Sequence, residues 1–147
     1  MPASTTKPSA RDRLLAAADE LFYNDGVNTV GIDRVLAHAG VAKASLYTAF
    51  GSKEELVREY LNGRDERLRA RIMERIAKLD DPRAKILSVF DGLNTRVSAG
   101  EYHGCPFIRA SAEGPPGPSV ARAASVAHRD WRRALFKDLA TAAGLPD

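Results

Sequence analysis

Lys43, Ser45, Tyr47, Thr48 and Lys53 crowd cationic and hydrogen-bonding groups into a short stretch at a density that folding alone does not require. They lie in the run GVAKASLYTAFGSKEEL, residues 40–56, whose candidate buried positions are Val41, Leu46 and Phe50. The chemistry available to such groups is the binding of anions and base edges. A lysine ammonium and a phenol reach phosphates, while serine and threonine hydroxyls bond base edges or meet a thymine methyl. With Lys43 at zero on a helix, Leu46 falls at about 300° and Phe50 at about 340°, which sets the buried stripe. Ala44, Thr48 and Ser45 fall at roughly 100°, 140° and 200°, on the opposite side. Lys43 and Tyr47 flank that small polar face, packing their stems and presenting their tips. A face of this kind fits a major groove about 12 Å wide, where small residues let the backbone approach. Lys53 falls in the first turn of the following helix, where free N–H groups already favour an anion. A cation there opposes the helix dipole, which points to a phosphate as its neighbour.

Three helices must hold this face in place. The first opens at Ser9, with Asp12 three residues on as a weaker form of the capping box. It carries Leu14, Ala18, Leu21 and Phe22 at helical spacing and stops at Asn24-Asp25-Gly26. Ile32, Val35, Leu36 and Ala39 mark the second, closed by Gly40, and the third covers about Lys43 to Phe50. Two short helices across a Gly-Val turn make a helix-turn-helix arrangement. Arg11 and Arg13 read as a frayed, charged terminus rather than a minor-groove arm. Residues 1–8, rich in Pro, Ser and Thr, read as a disordered arm.

The remainder is helical too. Ser52 and Glu55 form an S-x-x-E capping box at the head of a long fourth helix, with Asn62-Gly63 as a candidate kink. Leu56, Tyr60, Leu61, Leu68, Ile72 and Ile76 give its apolar positions, and the charges from Arg64 to Arg75 read as a solvated face. Pro82 restarts the chain into a fifth helix carrying Ile86, Phe90, Leu93 and Val97. Cys105 to Glu113 reads as a short helix or irregular apolar piece, and Gly114-Pro115-Pro116-Gly117-Pro118 breaks the chain. The last helix runs from about Ser119 to Ala143 on Val126, Trp131, Leu135 and Leu139. No segment reads as a strand, so the predicted fold class is all-α.

Composition narrows the function classes. The net charge is +3, and residues 1–56 hold six basic side chains against seven acidic ones. Any affinity for nucleic acid must therefore come from local placement. The single cysteine, Cys105, forbids an internal disulfide, reads as a small buried hydrophobe, and fits a cytoplasmic setting. No apolar run is long enough for a membrane span, and the N-terminus lacks the apolar core of a secretory signal. There is no G-x-S-x-G, P-loop or H-E-x-x-H pattern, so an enzyme is not expected. The three histidines are widely separated, and neither a metal nor a cofactor is predicted.

The stretch from Arg11 to Leu56 resembles the N-terminal domain of TetR-family transcriptional regulators. The resemblance rests on Phe22 and Gly26 and on the pattern GV-x-K-x-x-LY-x-x-F-x-SKEEL, carried from Gly40 through Leu56. It implies operator DNA binding as a homodimer, release by a small, largely apolar effector, and repression of nearby genes. By position it places Lys43, Ala44, Ser45, Tyr47, Thr48 and Lys53 at the DNA. Two departures are visible: Ala42 stands where the family often has Ser, and Thr48-Ala49 replaces a larger polar pair. Readout then rests on few side chains, with more left to DNA shape. The implied organisation is a helix-turn-helix domain over residues 9–51 and a helical ligand and dimer domain over residues 52–147. The second domain is C-terminally short, since family members usually carry two further helices. Tyr60, Ile86, Phe90, Phe107, Ile108 and Trp131 are the candidate pocket residues. The segment Tyr102 to Glu113 resembles a GC-x-x-x-x-A-x-x-E segment of one large subset of the family. The competing reading is a helix-turn-helix module that binds protein without ligand control.

Overall fold

The computed structural model describes residues 7–146, so most of the arm expected at residues 1–8 lies outside the described residues. Seven helices follow in order: α1 (Ala10–Asp25), α2 (Ile32–Ala39), α3 (Lys43–Phe50), α4 (Lys53–Ala77), α5 (Pro82–Ser98), α6 (Pro106–Glu113) and α7 (Val120–Ala142). No strand occurs among the described residues.

Local chemistry sets most of the ends. The Ser9 hydroxyl accepts from the Asp12 N–H, and the Asp12 carboxylate accepts in return from the Ser9 N–H. That is a complete capping box, and it orders the start of α1 where fraying was expected. Gly40 closes α2 in the left-handed region (φ 64°), which sets the tight turn into α3. The Ser52 hydroxyl accepts from the Glu55 N–H, but the Glu55 carboxylate turns to Arg58, so the box expected at α4 is only half made. α4 runs through Asn62-Gly63 as one helix. Asp81 caps α5 through the Ala84 N–H, with Pro82 in its first turn. Ser119 caps α7 through the Arg122 N–H.

Two cores result. The larger has Leu14, Leu46, Leu56 and Leu61 at its centre, all with no exposure, and it recruits Phe107, Ala110 and Ala121 from α6 and α7. Each large apolar side chain removed from water there contributes roughly 1.5–3 kcal/mol. The smaller core joins Ile72, Ile76 and Val89 with Leu68, Trp131 and Phe136 beside them.

Four expectations need correction. The apolar stripe expected to anchor α5 is instead outward: Phe90 and Val97 are more than half exposed, while Ser88 and Val89 are buried. α5 packs on α4 and α7 along its Val89 edge, and at the outward edge the Phe90 ring meets Phe136 of α7 at 5.8 Å. Val126 is likewise exposed, because α7 turns the smaller Ala121 and Ser125 and the His128 ring inward. The charges of α4 are not all solvated. The Arg64 guanidinium lies 3.8 Å over the Tyr23 ring and makes three bonds to Asp19. Arg11 and Arg13 are also engaged. Arg11 pairs with Glu59, and Arg13 donates to the carbonyls of Ala39 and Gly40 at the end of α2.

Candidate nucleic-acid interface and its linked cleft

α3 is held by its inner edge. Leu46 and Phe50 are buried in the larger core, and Val41 packs against it from the turn. What remains outside is the predicted face. Lys43, Ala44, Tyr47 and Thr48 are exposed and Ser45 is half-buried. Among the described residues, the side chains of Lys43, Tyr47 and Thr48 have no hydrogen-bond or ion-pair partner, which leaves their donors free for an outside ligand. Lys53 stands apart from this group. It is half-buried, with its ammonium 5.9 Å above the Phe22 ring, and burial pushes its pKa below the ordinary value while Glu113 opposes that shift.

Glu113 was legible as a residue but not as a contact. Its carboxylate accepts from the Asn28 N–H at 3.0 Å, and its carbonyl accepts from the Asn28 amide. It also occupies the space above Gly26, where a Cβ would come within 2.6 Å of its Oε1. Only glycine suits that position twice over, since φ is 98° there. Tyr23 fastens the same end of α1. Its hydroxyl accepts from the His103 N–H and lies 3.3 Å from the Gly104 carbonyl, to which it can donate, while Arg109 donates to the Tyr23 carbonyl. Thus α6 and the α5–α6 link hold the turn that sets α2 and α3 on α1. Glu113→Ala removes a charge-assisted bond and should cost roughly 1–2 kcal/mol locally. The expected result is faster amide exchange at Asn28 with core amides of α4 unchanged. Unchanged exchange at Asn28 would contradict the clamp.

A cleft of about 310 Å³ opens between α4, α5, α7 and the α5–α6 link. Its floor is apolar, with Ile72, Val89 and Phe107, and its rim carries Arg71, Arg75, Arg96 and Arg132. Of the six residues expected to line a pocket, Phe107 alone borders it. Tyr60 sits in the larger core, edge-on to Phe22. Phe90 and Ile108 face outward, Ile86 is half-buried away from the cleft, and Trp131 lies under the Arg69 guanidinium at 4.8 Å. Periodicity identified apolar faces but not which of them would be covered.

His128 was missed. It is 2% exposed, stacks on Phe107 at 4.0 Å, and bonds through Nδ1 to Asp65 at 2.7 Å. Burial pushes the imidazole pKa below its ordinary value, against the opposing pull of the Asp65 hydrogen bond and charge. Its Nε2 has no hydrogen-bond partner among the described residues, and the ring forms part of the cleft wall. No helix among the described residues is long and apolar enough to cross a membrane.

Comparison with known proteins places this geometry. Residues 14–60 match the family described as bacterial regulatory proteins, tetR family. An uncharacterised HTH-type transcriptional regulator of Mycobacterium tuberculosis is 35% identical over 78 residues, and the chain spans 39% of its length. LmrA of Bacillus subtilis, an HTH-type transcriptional regulator, is 29% identical over 125 residues, covering 83% of this chain and 66% of that protein. Among solved structures, a putative TetR-type transcriptional regulator from Streptomyces avermitilis superposes with a TM-score of 0.82 at 30% identity. That match covers 91% of this chain and 73% of the other. A TetR-family transcriptional regulator from Streptomyces coelicolor gives 0.76 at 35% identity, covering 83% and 65%.

Proposed function

Since the chain belongs to the TetR family of bacterial regulatory proteins, we propose that it is a cytoplasmic transcriptional repressor whose α3 enters the major groove of a palindromic operator. The observation that carries the reading is the exposed, unpartnered polar face of α3 on a fully buried Leu46 anchor. In this reading Lys43 and Tyr47 bond phosphates, Ser45 and Thr48 meet base edges, and Ala44 lets the backbone approach. Lys53 adds a phosphate contact at the first turn of α4 when its ammonium swings out from above the Phe22 ring. Residues 9–51 form the DNA-binding unit, and residues 52–147 the effector and dimer unit. A homodimer sets two α3 helices about 34–36 Å apart, the spacing of successive major grooves.

A small effector in the cleft controls release. α6 supports the coupling, since Phe107 at its start borders the cleft and Glu113 at its end holds the α1–α2 turn. The effector must bind the DNA-incompetent arrangement better, or no release follows.

The experiment is selection of bound duplexes from a random DNA library at moderate salt, followed by salt titration on the enriched site. An enriched inverted repeat is expected. Lys43→Ala should weaken binding to every sequence alike and flatten the salt slope by about one unit. Enrichment of no sequence, with binding to a protein partner that is insensitive to salt, would overturn the DNA reading.

A further inference from the structure

We infer that the cleft takes an organic anion with an apolar body, its acidic group bound at the rim by Arg71, Arg75, Arg96 and Arg132. This rests on the effector-responsive reading above and names the chemical class of that effector.

Pairing along α4 separates two sets of arginines. Arg58 bonds Glu55, Arg64 and Arg67 share Asp19, and Arg69 bonds Asp65. Arg71 and Arg75, on the cleft side of the same helix, have no carboxylate within ion-pair distance among the described residues. Nor have Arg96 of α5 and Arg132 of α7. Four guanidiniums from three helices therefore meet one acidic side chain at the cleft, Glu101. Like charges held together without counter-charge are a standing cost, and a bound anion removes it. Burial first, then the neighbouring Arg96, Arg67 and Arg64, hold the Arg71 guanidinium below its ordinary pKa, with Glu101 opposing.

The backbone makes room for this cluster. Gly92 lies inside α5, where glycine costs about 1 kcal/mol relative to alanine. A Cβ there would fall 3.0 Å from the Arg75 Nε, so the glycine lets that guanidinium lie against the helix at the rim.

The inside of the cleft decides the rest of the ligand. Ile72, Val89 and Phe107 are buried and offer no charge, so a bare inorganic anion would leave the floor empty. His128 is more than nine-tenths buried, and its Nε2 has no hydrogen-bond partner among the described residues, which leaves one polar atom of the wall for a ligand or a water to meet. Guanidinium forks match a carboxylate through paired, charge-assisted bonds. An acid group at the rim and an apolar body on the floor satisfy both surfaces at once.

The test uses the full chain and a panel of octyl, decyl and phenylpropyl compounds, each as carboxylate, alcohol and ammonium. Trp131, the only tryptophan, lies 6.5 Å from the His128 ring and reports binding by its fluorescence. For each body the carboxylate should bind about ten-fold or more tighter than the alcohol, with the ammonium weakest. The double variant Arg71→Gln, Arg132→Gln should bring the carboxylate down to the alcohol's affinity. Unchanged alcohol binding shows that the variant is folded. Equal binding of alcohol and carboxylate, a preference for ammonium, or a preference that survives the double variant would overturn the anion. Failure of every compound in all three sets would overturn the effector cleft itself, and the anion with it.

Discussion

Phe107→Ala should lower the unfolding free energy by about 3–5 kcal/mol, the range for emptying a buried aromatic position. The ring is 1% exposed and stacks on His128 at 4.0 Å. It also enters the larger core from α6, so its loss opens space on both sides of the helix. Against a total stability of some 5–15 kcal/mol, a change of that size removes a large share. Urea unfolding checks it: the midpoint should fall with little change in slope. A midpoint equal to wild type would mean that the ring packs far less than its burial implies.

Asp19→Ala carries the second large effect. The carboxylate accepts from Arg64 at 2.9 and 2.8 Å and from Arg67, tying α1 to α4. Arg64 is only 17% exposed and lies over Tyr23, so removing Asp19 strands a guanidinium against aromatic walls. Breaking a fully buried pair costs about 3–5 kcal/mol, and the remaining solvent access here reduces that to about 2–3 kcal/mol. The double variant Asp19→Ala, Arg64→Met should be more stable than Asp19→Ala alone, because it removes the stranded charge and keeps the packing. Thermal unfolding of the three proteins tests this. A loss below about 1 kcal/mol in Asp19→Ala, the value of an ordinary surface pair, would refute it.

How much of this was legible in the sequence follows from the range of each signal. Helix starts at Ser9, Ser52, Asp81 and Ser119 and stops at Gly26 and Gly40 lie within a few residues of their causes, and the structure has all of them. The exposed face of α3 followed from periodicity, because Leu46 and Phe50 fix its rotation. Periodicity tells which side of a helix is apolar but not what lies against it. Phe90 and Val97 therefore looked like core and are exposed, while His128 looked isolated and is buried. The Glu113–Asn28 contact spans 85 residues. Arg71 and Arg75 differ from Arg64 and Arg67 only in what the fold brings near them, which no local pattern encodes.

α6 has eight residues and so a length of about 12 Å. One end shapes the cleft floor through Phe107 and the other grips Gly26 and Asn28 through Glu113. Exchange of halves between relatives is thereby constrained. A chimera that joined residues 52–146 to a foreign head would separate Glu113 from the turn it was shaped for, even with the linker in α4 intact. Gly26, Asn28 and the last turn of α6 make one transplantable cassette, and a biosensor assembled by swapping heads would have to move them together.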